Sequence, residues 1–188
     1  MKKGYNKCEG YNLLALKALG LFLKNPHKEF YLREFARESG ISLNSSQRFL
    51  GLFLREGLIK EERKANLRYF KADTENLVFR EIKRTFSIRE LVKSGLVDYL
   101  REQGCSNAVL FGSVAKGLDD AKSDIDILVI KTGGKIRGIE RFYLKLRREP
   151  NIHIFSLSEW KKQARENKAF YQDVISTGIN LIGEMPLV

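Results

Sequence analysis

Cysteine is scarce in this 188-residue chain: Cys8 and Cys105 are the only two, and they form no Cys-x-x-Cys pattern. That argues against a disulfide framework or a zinc site and favours a reducing, cytoplasmic setting. Long apolar runs are also missing. The most apolar stretch, Leu13 to Leu23, is interrupted by Lys17 and falls short of the roughly 20 residues needed to span a bilayer, so no membrane partner is expected. No small-residue cleavage site follows it before charges resume, which makes it a poor signal peptide. There is no internal repeat, no low-complexity tract and no Pro/Gly/Ser-rich linker.

What is present is enough for a folded, strongly basic protein. Hydrophobic residues make up 43% of the chain, which supports a buried core. The net charge is +11, and it is unevenly spread. Residues 1–73 hold 15 Lys/Arg against 8 Asp/Glu, while residues 106–188 hold 13 against 10. A basic surplus concentrated in one segment points to a polyanion there, though it serves solubility equally well.

The periodicity divides the chain in three. Residues 12–24 read as a helix that ends at Asn25-Pro26. An extended piece at Glu29–Tyr31 precedes a second helix through Leu32, Phe35 and Ala36, stopped by Gly40. Ser42 is a good N-cap for a third helix, which turns Phe49, Leu50, Phe53 and Leu54 inward and stops at Gly57. Strands at Leu58-Ile59 and Leu67–Lys71 follow, with Glu61–Asn66 as the turn. Residues 74–105 read as a helical linker, opened by Asp73 as a cap and closed by Gly104. From residue 106 onward the rhythm becomes strand and helix. Strands are expected over Ala108–Phe111, Ile125–Ile130 and Asn151–Phe155, and helices over 137–148, 158–166 and 168–177. The fold class expected is α+β.

The order helix, short strand, helix, turn, helix, hairpin over residues 10–73 resembles a winged helix-turn-helix. The stretches Ile41-Ser42-Leu43-Asn44-Ser45-Ser46-Gln47-Arg48 and Leu54-Arg55-Glu56-Gly57-Leu58-Ile59 carry that resemblance. It implies double-stranded DNA as a partner, with the third helix in a major groove and the hairpin as the wing. Asn44, Ser45, Gln47 and Arg48 avoid the core of that helix; Asn and Gln pair with adenine edges and Arg with guanine. Arg63, Lys64 and Arg68 are the wing cations for phosphates. The competing reading is a solvated face used for protein contact.

The sharpest motif lies in the last third. An apolar strand, Ala108–Phe111, delivers the chain to Gly112-Ser113. Glycine permits a tight turn and close approach of a ligand to the backbone, and exposed N–H groups at such a turn favour an anion. After ten residues comes Asp124-Ile125-Asp126, where the alternation of a strand aims both carboxylates one way and Ile125 toward the core. Two hard-oxygen donors beside a phosphate cradle suit Mg²⁺. Lys116 is a further candidate for a phosphate. The competing reading is an ordinary turn beside two surface charges, with Asp119 and Asp120 as solvated loop residues.

Gly-Ser, ten residues, then Asp-x-Asp resembles the nucleotidyltransferase superfamily that includes DNA polymerase beta, and most closely its minimal members. Gly117 and Ser123 fit the flanks of the same pattern. The resemblance spans about residues 88–185 and implies a small mixed sheet covered by helices. It also implies an NTP ligand, ATP first, with Gly112 and Ser113 on the triphosphate and Asp124 and Asp126 on Mg²⁺ as the catalytic pair. The pattern departs at one place. Active members carry a third carboxylate on a later strand, and here the corresponding position is His153. That histidine reads either as a general base near neutral pH or as a hydrogen-bonded, chemically silent residue. Glu149 and Glu159 flank the strand without sitting in it.

Two functions follow as expectations. One is a DNA-binding regulator, transcriptional or antitoxin-like, whose nucleotidyltransferase-type domain binds NTP and Mg²⁺. The other is an active transferase that moves a nucleotidyl group, AMP for instance, to a macromolecular acceptor. Minimal members of the superfamily work beside a small helical partner protein, which adds that partner to the expectations. Winged-helix proteins commonly dimerise, so a homodimer is expected too, although no stretch marks an interface.

Overall fold

The computed structural model describes residues 13–188, so Cys8 and residue 12 of the first expected helix lie outside it. The fold is mixed α+β, and it divides into two compact units, residues 1–79 and 80–188. Among the described residues no helix is long and apolar enough to cross a membrane.

In the first unit, α1 (Leu13–Lys24), α2 (Leu32–Ser39) and α3 (Leu43–Arg55) surround a small antiparallel sheet. That sheet consists of β1 (Phe30–Tyr31), β2 (Ile59–Lys64) and β3 (Leu67–Ala72) in the order β1-β3-β2. The Ser42 side chain caps α3 by accepting from Ser45 N at 3.3 Å. Phe22, Phe30 and Phe35 form an aromatic knot, with ring centroids 5.3–6.3 Å apart. The hairpin is longer than its apolar residues suggest. Residues Glu61 to Lys64 pair in register with Phe70 to Leu67, which leaves only Ala65 and Asn66 for the turn. A charged strand on the edge of a sheet carries no period-2 apolar signal, so residues 61–64 read as a turn in the sequence.

The boundary between the units falls within α4 (Leu77–Ser94). Asp73 does not cap that helix; its Oδ1 accepts from Glu75 N, while Asn76 Oδ1 accepts from Phe79 N at 3.0 Å in the capping position. At Gly95, with φ of +83°, the helical path breaks and α5 (Leu96–Glu102) begins. Leu91, Leu96, Val97 and Leu100 enter the core of the second unit, so much of the 74–105 stretch is core-forming helix rather than connector.

The second unit is a four-stranded mixed sheet in the order β6-β5-β4-β7. Its strands are β4 (Asn107–Leu110), β5 (Ile125–Ile130), β6 (Pro150–Phe155) and β7 (Ile179–Ile182). β5 runs parallel to β6 and antiparallel to β4. Alternation sorts the side chains cleanly. Ala108, Leu110, Ile125, Ile127 and Val129 join the core under α4 and α5. Val109, Phe111, Leu128 and Ile130 face the other way. That second face is closed by Trp160 of α8 (Leu157–Glu166) and Val174 of α9 (Lys168–Thr177). The 137–148 stretch is a short 3₁₀ turn, Ile139–Phe142, followed by the single turn α7 (Tyr143–Leu146), not one long helix.

Candidate functional site

The end of β4 and the start of β5 lie side by side, because Phe111 N donates to Asp126 O at 3.0 Å. β4 therefore delivers Gly112 against the Asp126 side chain. The glycine has φ of +71°, and a Cβ at this position would stand 2.7 Å from Asp126 Oδ2. The backbone conformation favours glycine, and a Cβ here would require the Asp126 carboxylate to shift. The chain then makes one tight helical turn, α6 (Gly112–Lys116), with Ser113 as its second residue. It leaves through Gly117, where a Cβ would meet Arg80 O at 2.6 Å.

Asp124 precedes β5 and is exposed; Ile125 is buried; Asp126 is partly buried. Asp126 shares its face with Leu128 and Ile130, and α8 and α9 cover those two while leaving the Asp126 end open. Asp126 beside the glycine turn, with Asp124 two residues before it, supplies carboxylate oxygens of the kind a hard divalent cation shares with phosphate oxygens.

The residue directly opposite Asp126 on β6 is Asn151, and its Nδ2 donates to Asp126 Oδ1 at 2.9 Å. His153 is next on that face, with Nε2 3.8 Å from the same oxygen, beyond hydrogen-bond range. Nε2 is buried without a hydrogen-bond partner, and the ring packs against Phe111 and Phe170. Among the described residues no group of three His, Cys, Asp or Glu assembles as a metal cluster. Glu149 contributes its carbonyl to Ile125 N, and Glu159 closes a capping box with Ser156 at the start of α8. Neither acid sits on β6 beside Asp126.

Lys116 is engaged with Asp173 of α9 at 2.6 Å, in a pair about one-third exposed. The loop acids differ from their sequence reading. Asp119 is 1% exposed rather than solvated; its Oδ2 accepts from Lys83 Nζ at 3.2 Å and from Arg148 Nη1 at 2.7 Å. Burial pushes the Lys83 ammonium below its ordinary range, and Asp119 opposes the shift. Asp120 organises the loop, its Oδ1 accepting from Lys122 N, Ser123 N and Ser123 Oγ. Asn151, Asp119 and Arg148 escaped the sequence reading because only strand register and loop closure bring them to Asp126 and Asp124. A charged residue 24 positions from its partner leaves no periodic trace.

In the first unit, Asn44, Gln47 and Arg48 are exposed on α3, and Arg55 extends the same helix. Ser45 is half-buried and tied to the cap, its Oγ accepting from Ser42 Oγ at 3.0 Å. The hairpin cations Arg63, Lys64 and Arg68 are each next to an acid. Arg68 Nε donates to Glu61 Oε1 at 2.6 Å, Lys64 Nζ reaches Glu29 Oε2 at 2.6 Å, and Arg63 Nε lies 3.9 Å from Glu61. The Arg68 guanidinium holds the Glu61 carboxyl below the usual range, and Glu29 pulls Lys64 upward.

Residues 94–185 match the sequence model of the family described as Polymerase beta, Nucleotidyltransferase, just under half of the chain. A nucleotidyltransferase-type domain therefore occupies most of the second unit, and the Gly112–Asp126 geometry lies inside it. No curated protein matches the chain significantly.

Proposed function

We propose that the chain is a DNA-binding regulator, transcriptional or antitoxin-like, whose nucleotidyltransferase-type domain binds a nucleoside triphosphate with Mg²⁺. ATP is the first candidate. On this reading residues 1–73 are a winged helix-turn-helix, supported by the order of α1, β1, α2, α3 and the β2–β3 hairpin. The basic surplus of residues 1–73 supports duplex DNA as its partner. In the second unit Asp124 and Asp126 hold the metal, and the Gly112-Ser113 turn holds the triphosphate. When bound, Mg²⁺ neutralises phosphate charge and fixes its geometry. The protein's own part is to present Asp126 on β5 and Asp124 just before it, and to leave room for phosphate at a glycine with positive φ.

The observation that carries binding over catalysis is the pairing at β6. Where the family's third acid belongs, the strand offers Asn151, already bonded to Asp126, and then His153. On this reading a metal is held there, but β6 carries no carboxylate to take a proton from an attacking hydroxyl. A small helical partner protein belongs to the antitoxin-like form of this proposal.

One observation favours the transferase alternative: His153 Nε2 is unpartnered and close to Asp126. In that reading His153 accepts the acceptor's proton in place of the missing acid.

A duplex-binding series across salt concentrations, with and without Mg²⁺ and each NTP, tests the proposal. The expected outcome is salt-sensitive affinity that shifts when nucleotide and Mg²⁺ are present together. Thermodynamic linkage then requires DNA to shift nucleotide affinity by the same factor. Absence of salt-sensitive binding to any duplex overturns the DNA half. Incorporation of label from an α-labelled NTP into protein or RNA, abolished by His153→Ala, establishes the alternative.

A further inference from the structure

Asp124 has a weak point. It precedes the first residue of β5 and is exposed; the ladder holds only the N–H side of its peptide with Ile125, through Ile125 N donating to Glu149 O at 2.9 Å. The carbonyl side of that peptide is held by a side chain 24 residues away. Arg148 Nη2 donates to Asp124 O at 3.3 Å, and Nε donates to Ser123 O at 2.6 Å. The third nitrogen, Nη1, bonds Asp119 Oδ2 at 2.7 Å. Arg148 is 15% exposed and Asp119 2% in their side chains, so the fork is held in a poorly hydrated place.

Burying charge here is an inefficient way to gain stability. Desolvation of an ion pair commonly offsets its attraction, and apolar residues of the same size hold a core as well. What apolar residues cannot do is hold two successive carbonyls in a fixed direction. A planar guanidinium with three nitrogens on three acceptors does this, and a lysine ammonium does not reproduce it. Asp119 orients the fork, and Ser123 is kept in the loop by its bonds to Asp120. The same loop starts at Gly117, which is pressed against Arg80 O.

We infer that Arg148, oriented by the buried Asp119, is a positioning residue that sets the Asp124 carboxylate for the metal. The inference rests on the proposed Mg²⁺–nucleotide site. Lys83 Nζ donates to the same Asp119 oxygen from α4, so Lys83→Met perturbs the buried charge cluster while leaving Arg148 and its bonds to the Ser123 and Asp124 carbonyls in the chain, and it serves as the structural control.

The test measures affinity of the full chain for a fluorescent ATP analogue, with saturating Mg²⁺ and with chelator, in wild type, Arg148→Lys, Arg148→Gln and Lys83→Met. Orienting groups behind metal ligands typically change affinity by 10–100-fold. Arg148→Lys and Arg148→Gln should therefore lose about tenfold or more of the Mg²⁺-dependent affinity while metal-free affinity, a readout of the Gly112-Ser113 turn and of folding, stays within about twofold. Lys83→Met should lower the melting temperature and leave the ratio of the two affinities unchanged. Whichever Arg148 variant retains metal-free binding is decisive. An unchanged ratio in that variant, or equal losses with and without Mg²⁺ in both, overturns the inference. A wild type that binds no nucleotide with or without Mg²⁺ overturns the site itself and the inference with it. A wild type that binds only with Mg²⁺, beside an Arg148→Gln variant that binds equally well with Mg²⁺, overturns the inference and leaves the site standing.

Discussion

Gly112 is the residue where the sequence pattern and the geometry meet most tightly. Its positive φ costs an L-residue about 1–2 kcal/mol, and the added methyl would press on the Asp126 carboxylate. Gly112→Ala should therefore lower stability by about 1–2 kcal/mol and remove metal-dependent nucleotide binding, because Asp126 must rotate away. Chemical denaturation together with calorimetry checks both parts; a variant that binds nucleotide and Mg²⁺ like wild type would show that the turn is not the cradle. At this scale the meeting of Gly112 with Asp126 was legible, because an apolar strand ending in glycine and a second strand opening on Asp-x-Asp encode it, whereas Asp124 lies just outside β5. Asn151, Asp119 and Arg148 were not. Asn151 faces Asp126 only because β6 is parallel to β5 in one particular register, and a sequence does not print its register. Asp119 looked like a solvated loop acid because its two cations come from residues 83 and 148.

Among the elements, α3 and the β2–β3 hairpin divide the expected DNA contacts into two kinds. Arg48 and Arg55 on α3 form no ion pair among the described residues, while the hairpin cations already neutralise Glu61 and Glu29. A phosphate contact by a free cation releases about one counterion's worth of salt dependence. A cation that must first leave a carboxylate contributes less. Arg48→Ala should thus weaken duplex binding and reduce the log–log salt slope by about 1, and Arg68→Ala should change the slope less. Equal slopes for wild type and Arg48→Ala would remove α3 from the interface. The long apolar elements were readable from their periodicity. Three were misread, for separate physical reasons. The outer half of β2 is a charged edge strand. β7, Ile179 to Ile182, follows a helix closely and is too short to show a period. The 137–148 segment has a helical apolar spacing but is interrupted at Gly138 and Arg147, both with positive φ.

For the whole molecule, the decisive fact is that a nucleotidyltransferase-type domain shares one chain with a basic unit that has its own core. The α+β class followed from the change of rhythm near residue 106. The place where one unit ends did not, because the helical stretch has no Pro/Gly/Ser break and α4 itself contains the boundary. A regulator reading requires that the second unit binds a ligand worth sensing. Calorimetric titration of the full chain with ATP, GTP, CTP and UTP, with and without Mg²⁺, tests this most directly, against Asp124→Asn/Asp126→Asn as control. The account predicts heat of binding for at least one nucleotide in the presence of Mg²⁺ and its loss in the double variant. Binding that survives in the double variant, or no binding to any nucleotide, would contradict it.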